Sequence, residues 1–243
     1  MLQKIVLILA IQFSIMISCK SQNNNNSMTT DTSLQYIIRQ SKDKNVSAHL
    51  LVLLHGHGSN ENDLFSFSSQ IPENWIVVSV RAPYTLGENS YRWYDVKMVN
   101  EKIVVNIEEE EKSKIKLMQL ISEITQKYNV DSKKIIVAGF SQGANMASSV
   151  SLTKPEKIAG FGVFSGRFVN QLKPYISSSV SLKSLKCFLA HGNKDNMLPI
   201  SYARENQQML QSLGISVTFS EDVVAHSISP KQFGEFLQWL DQF

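Results

Sequence analysis

From residue 34 onward the chain alternates short, unbroken apolar runs with longer stretches at helical spacing, and this restricts the fold more than any other feature. HLLVLL at 49–54, WIVVSV at 75–80, KIIVA at 134–138, IAGFGVF at 158–164, KCFLA at 186–190 and ISVTF at 215–219 have the length of strands. A strand with one wet face alternates apolar and polar residues, whereas a continuous apolar run is covered on both faces, as in a parallel sheet between helices. Helical spacing over 108–128, 142–154, 200–213 and 229–241 supplies the covering layers. The expected class is therefore α/β, a mostly parallel central sheet with helices on both faces. No composition break divides 34–243, which reads as one domain.

Within 108–128, Ile115, Met118, Ile121, Ile124 and Tyr128 form the expected inward stripe. The four glutamates 108–111 at its start read as a solvated first turn favoured by the helix dipole rather than as a metal site. Lys+Arg 24 against Asp+Glu 21 gives a net charge of +3, spread along the chain, so nucleic acid is a poor partner. Two cysteines in 243 residues exclude a disulfide scaffold, and no repeat of 20–50 residues is present.

The N-terminus carries Lys4 and then an almost continuously apolar run over 5–17, the length of a signal-peptide core and too short to span a bilayer. The run ends in Met16-Ile17-Ser18-Cys19, which resembles a bacterial lipobox except that Met16 stands where leucine is preferred. The resemblance implies a signal peptide over 1–18 and a lipid on Cys19, and so an exported lipoprotein at a membrane, facing the periplasm or cell surface. An ordinary secretory signal cleaved nearby, or an uncleaved anchor, is the alternative. Residues 19–33 are polar and Asn-rich and read as a flexible tether. The second cysteine, Cys187, sits in an apolar strand run and reads as a buried thiol.

The chemistry gathers around Gly139-Phe140-Ser141-Gln142-Gly143, a G-x-S-x-G between a predicted strand and a predicted helix. That is the setting of a nucleophile elbow, with Ser141 held out on a sharp turn. A serine hydroxyl needs a general base, and the base needs a carboxylate to orient it. Asp195 follows the 186–190 strand and His226 the 215–219 strand, which places both on the sheet edge of Ser141. Asp222 competes as the acid but lies too close to His226 along the chain, and Asp95 precedes the serine. His49, His55 and His191 read as structural. An oxyanion hole requires two N–H donors, assigned to the backbone of Gln142 and of His57 in the loop after the 49–54 strand. His55 and His57 form an H-x-H pair without a third suitably spaced ligand, so no metal is expected.

HGHGSNENDL at 55–64, RAPYTLGENSYRWYD at 81–95, GFSQGANMA at 139–147, HGNKDNMLP at 191–199 and the stretch around His226 together resemble the carboxylesterase/phospholipase family that includes the acyl-protein thioesterases. The resemblance covers 34–243 and implies an α/β-hydrolase fold, no cofactor, a small ester substrate and a place for Trp93 in the wall of the acyl pocket. Ala144 and Ala225 depart from it, since glycine is usual at both. The expected activity is cleavage of short acyl esters by a serine esterase. The alternatives are an acyl-protein or lysophospholipid (thio)esterase and, in another class, an inactive lipid-anchored binding protein. Oligomeric state is not legible.

Overall fold

The computed structural model describes residues 34–42, 48–100, 102–168, 175–178 and 180–243. In chain order, β1 is Tyr36–Arg39, β2 His49–Leu54, α1 Asn62–Phe65, β3 Trp75–Val80, β4 Tyr84–Gly87, β5 Ser90–Arg92, β6 Val96–Val99 and β7 Lys102–Val105. There follow α2 Ile107–Tyr128, β8 Ile135–Phe140, α3 Gln142–Thr153, β9 Gly160–Phe164, β10 Lys186–Gly192, α4 Ile200–Ser212, β11 Ser216–Asp222 and α5 Pro230–Leu240. Seven strands make one sheet in the order β1-β3-β2-β8-β9-β10-β11, parallel throughout except for β1 at the edge.

The unbroken apolar runs are explained by what each face meets. Leu50, Val52, Leu54, Val137, Phe161, Val163 and Leu189 pack with α2, α3 and α4 on one side. The alternate residues Leu51, Leu53, Ile136, Ala138, Phe164 and Phe188 pack with α1 and α5 on the other. Each fully buried Val, Leu, Ile or Phe side chain contributes about 1.5 to 3 kcal/mol, so a strand with two apolar faces is held in register from both sides. Asn106 caps α2 by accepting the Glu109 N–H at 3.2 Å, and Ser229 with Gln232 forms a capping box on α5 behind Pro230.

The expected stripe on α2 needs correcting. The buried line is Leu117, Leu120, Ile121 and Ile124, continued toward the N-terminus by Lys114, Ser113 and Glu110, while Ile115 is 58% exposed. Glu108 is solvated as expected, but Glu110 is buried. Between β3 and α2 the chain leaves the main sheet and makes two small antiparallel ladders, β4-β5 and β6-β7. They leave Leu86, Val96, Val99, Ile103 and Val104 exposed.

Strand order reverses between β2 and β8: from β2 the chain steps to β3, which fills the place between β2 and the edge strand β1, and from β8 it builds the other way through β9, β10 and β11. In open α/β sheets the crevice at such a reversal, beyond the C-terminal strand ends, is where ligands bind.

Candidate active site

Ser141 leaves β8 at φ 53° and ψ −114°, a conformation most side chains avoid. Its N–H donates to the Phe164 carbonyl at 2.8 Å and its carbonyl accepts the Asn145 N–H at 3.2 Å, so the turn is tied to β9 on one side and α3 on the other. The flanking glycines permit this crossing. A Cβ on Gly143 would lie 2.0 Å from the Leu54 carbonyl oxygen, and one on Gly139 2.3 Å from the Gly143 backbone. The helix therefore starts directly against the end of β2.

His226 follows β11 and its Nε2 stands 3.0 Å from Ser141 Oγ. Its Nδ1 stands 2.6 Å from Asp195 Oδ2. Asp195 is only 5% exposed, and its other oxygen accepts the N–H groups of Met197 and Leu198 at 2.9 and 2.8 Å. His191 Nε2 lies 3.4 Å from Oδ2 while donating to the Leu198 carbonyl at 2.7 Å. This turn presents a buried carboxylate with both oxygens engaged. Asp222 instead accepts the Val223 N–H and bonds Ser229, which holds its carboxyl below the usual range.

The loop after β2 turns over Gly56 to Ser59, closed by the Ser59 N–H on the Gly56 carbonyl at 3.2 Å. Neither the His57 nor the Gln142 backbone N–H bonds another described residue. The Gln142 side chain is buried and clamps the segment before β6: Oε1 accepts the Trp93 N–H at 2.8 Å and Nε2 donates to the Tyr94 carbonyl at 2.8 Å. Asn145, one turn on, donates to Tyr94 Oη at 3.0 Å and accepts the Arg167 N–H at 2.9 Å. Burial pushes the Tyr94 phenol up.

Residues 34–243 match the model of the phospholipase/carboxylesterase family. The chain belongs to that family. This phospholipase/carboxylesterase member is 29% identical to an acyl-protein thioesterase 1 of Emericella nidulans, over 62% of this chain and 67% of that protein. It is 27% identical to the mouse lysophospholipase-like protein 1, over 65% of this chain and 67% of that one. The chain thus spans about two thirds of the length of these relatives. Among solved structures, the Bacillus cereus carboxylesterase superposes with a TM-score of 0.75 at 21% identity, covering 87% of this chain and 95% of that one. The fold is that of the α/β-hydrolases, and the chain is a carboxylic ester hydrolase by class.

Within this family member Trp93 does not stand where the resemblance implied. It is 0% exposed, so it lines no open cleft; its indole N–H donates to the His55 carbonyl at 2.9 Å and its own carbonyl accepts the Ser113 hydroxyl at 2.5 Å. A tryptophan between an N–H acceptor and an apolar core is a brace. Its bonding to Gln142 was not foreseen, although a glutamine after the serine is a side chain too polar to bury unpaired. Ala144, unusual for the family, faces Gly166, where a Cβ would lie 2.8 Å from the alanine methyl. Cys187 is buried, and burial pushes its thiol well up. Cys19 lies outside the described residues.

Proposed function

We propose that the chain cleaves carboxylic esters through an acyl-enzyme on Ser141. His226 Nε2 takes the hydroxyl proton as Oγ attacks the carbonyl carbon, and the N–H groups of Gln142 and His57 hold the oxyanion. Collapse expels the alkoxide, which leaves as the alcohol with the proton from His226. Water then attacks the acyl group by the same route and returns the hydroxyl to Ser141. Asp195 holds the His226 tautomer and stabilises the imidazolium. The observation that carries this reading is the pair of contacts at 2.6 and 3.0 Å joining Asp195, His226 and a strained Ser141. Ser141→Ala should lose about 10⁴ to 10⁶ in turnover with an unchanged Tm, and wild type should take one equivalent of a fluorophosphonate. Hydrolysis surviving in Ser141→Ala would overturn it, and an inert wild type would support the binding-protein alternative.

The preferred acyl group is short, about C2 to C8. The excursion between β3 and α2 is built of two-stranded ladders rather than an amphipathic helix, which favours an open cleft over a lidded channel. Each methylene left in water forfeits roughly 0.8 kcal/mol of binding. A chain-length series of chromogenic esters decides this: a specificity constant still rising at about C12 to C16 would favour the second reading. That reading is a long-chain acyl-protein or lysophospholipid (thio)esterase, supported by the names of the relatives. A lipid on Cys19 would hold the enzyme at a membrane, since two or more acyl chains anchor stably where one does not. Cys19→Ala should then abolish lipid labelling and release the protein from membranes.

A further inference from the structure

His55, the residue after β2, is buried, and its ring is held by two hydrogen bonds of opposite sense. The Ala82 N–H donates to Nε2 at 3.1 Å. A ring nitrogen that accepts carries no proton, so the neutral imidazole keeps its proton on Nδ1. Nδ1 lies 2.7 Å from the Gly56 carbonyl oxygen and donates to it. The protein around the ring therefore dictates the tautomer. Burial lowers the pKa of this histidine and keeps it neutral.

The Gly56 oxygen also receives the Ser59 N–H, and Gly58 between them has φ +82°, as the third residue of a type II turn requires. In a planar trans peptide the C=O and the N–H point in opposite directions. Drawing the Gly56 oxygen onto the buried ring turns the N–H of the same peptide, that of His57, away from the ring. The rest of the turn is pinned independently. The Trp93 indole holds the His55 carbonyl at 2.9 Å, and the Gly58 N–H donates to the Tyr91 carbonyl at 2.8 Å.

We infer that His55 is a positioning residue of the oxyanion hole: its Nδ1–H fixes the Gly56–His57 peptide so that the His57 N–H faces the crevice between β2 and β8. The inference rests on the acyl-enzyme reading above. Three variants separate its parts. His55→Gln can accept from Ala82 but has no donor at the Nδ1 position; His55→Asn can supply that donor. His57→Pro deletes the oxyanion N–H itself, at a turn position where proline is favoured.

The measurement is kcat and KM for an ester and for the matching thionoester, whose sulfur is a poor hydrogen-bond acceptor. The ester-to-thionoester rate ratio reports a donor aimed at the oxygen and does not depend on how much enzyme is folded. One oxyanion donor is worth about 10² to 10³ in kcat. His55→Gln should lose about 10²-fold in ester kcat with KM within about threefold, and its ratio should fall about tenfold or more, as in His57→Pro. His55→Asn should recover kcat to within about fivefold of wild type. A ratio that collapses in His57→Pro but not in His55→Gln, or equal losses on ester and thionoester in His55→Gln, would overturn the role of His55. An unchanged ratio in His57→Pro would overturn the assignment of the hole itself, and a wild type without the Ser141 intermediate would overturn the reading beneath both.

Discussion

Asp195, in the turn between β10 and α4, and Glu110, at the interface of α2 and α3, are almost equally hidden, at 5% and 2% exposure, but their surroundings differ completely. Asp195 receives two backbone N–H groups and an imidazole. Neither oxygen of Glu110 has a well-formed hydrogen bond, and burial pushes its carboxyl above the usual range against the pull of Ser149 and Lys114. Burying a carboxylate is expensive unless its oxygens are satisfied. The first region therefore satisfies both carboxyl oxygens beside the proposed base, and in the second burial favours the protonated acid.

The contrast is sharpest at Asp195. Asp195→Asn should lower kcat by about 10⁴ through the wrong histidine tautomer, with the fold intact by circular dichroism. Asp222→Asn should stay within about twofold of wild type. A loss in Asp222→Asn with Asp195→Asn unaffected would reverse the assignment of the acid.

At Glu110 the expected effect is on stability, with a defined sign. A carboxyl raised in the folded state binds its proton more tightly there than in the unfolded chain. Its contribution is complete below the unfolded carboxylate pKa of about 4.5 and is lost as pH rises through the folded value. Glu110→Gln does not titrate at this position. Its Tm should match wild type near pH 4 and exceed it by about 2 to 4 °C at neutral pH, with activity unchanged. A gain that is the same at every pH would show that Glu110 is not an unpaired acid. The smallest effect concerns Cys187, whose thiol burial alone pushes up. On a Cys19→Ser background, alkylation of Cys187 should begin only as denaturant opens the fold, and rapid labelling of the native protein would contradict its burial.

These regions also mark how far the sequence could be read. Strands β2 and β3 fall on the predicted residues because both of their faces are apolar, a pattern independent of distant context. That Ser141, Asp195 and His226 meet at one edge of the sheet was legible from their places after β8, β10 and β11. The face of α2 was not: apolar residues at 115, 117, 118, 120, 121 and 124 wrap more than half of the helix, and only the neighbouring α3 selects among them. A run of four glutamates looks solvated, although stepping back by helical turns from Leu117 reaches Lys114 and then Glu110, a signal that was available. The stretch with β4 to β7 has no period because neither ladder lays a whole face on the core, so no alternation is imposed on it. The burial of Trp93 and its link to Gln142 join residues 49 positions apart, which no local pattern reports.

The reversal of strand order between β2 and β8 has a consequence for the order of assembly. His57 and Ser141 are 84 positions apart, His226 is a further 85, and the three meet only where strands from early, middle and late chain lie side by side. A polypeptide emerging from its N-terminus would hold the elbow and the turn after β2 well before β11 docks and delivers the imidazole. The elbow and the turn after β2 have no base of their own, so the proposed reactivity waits on the last strand to set His226 against Ser141.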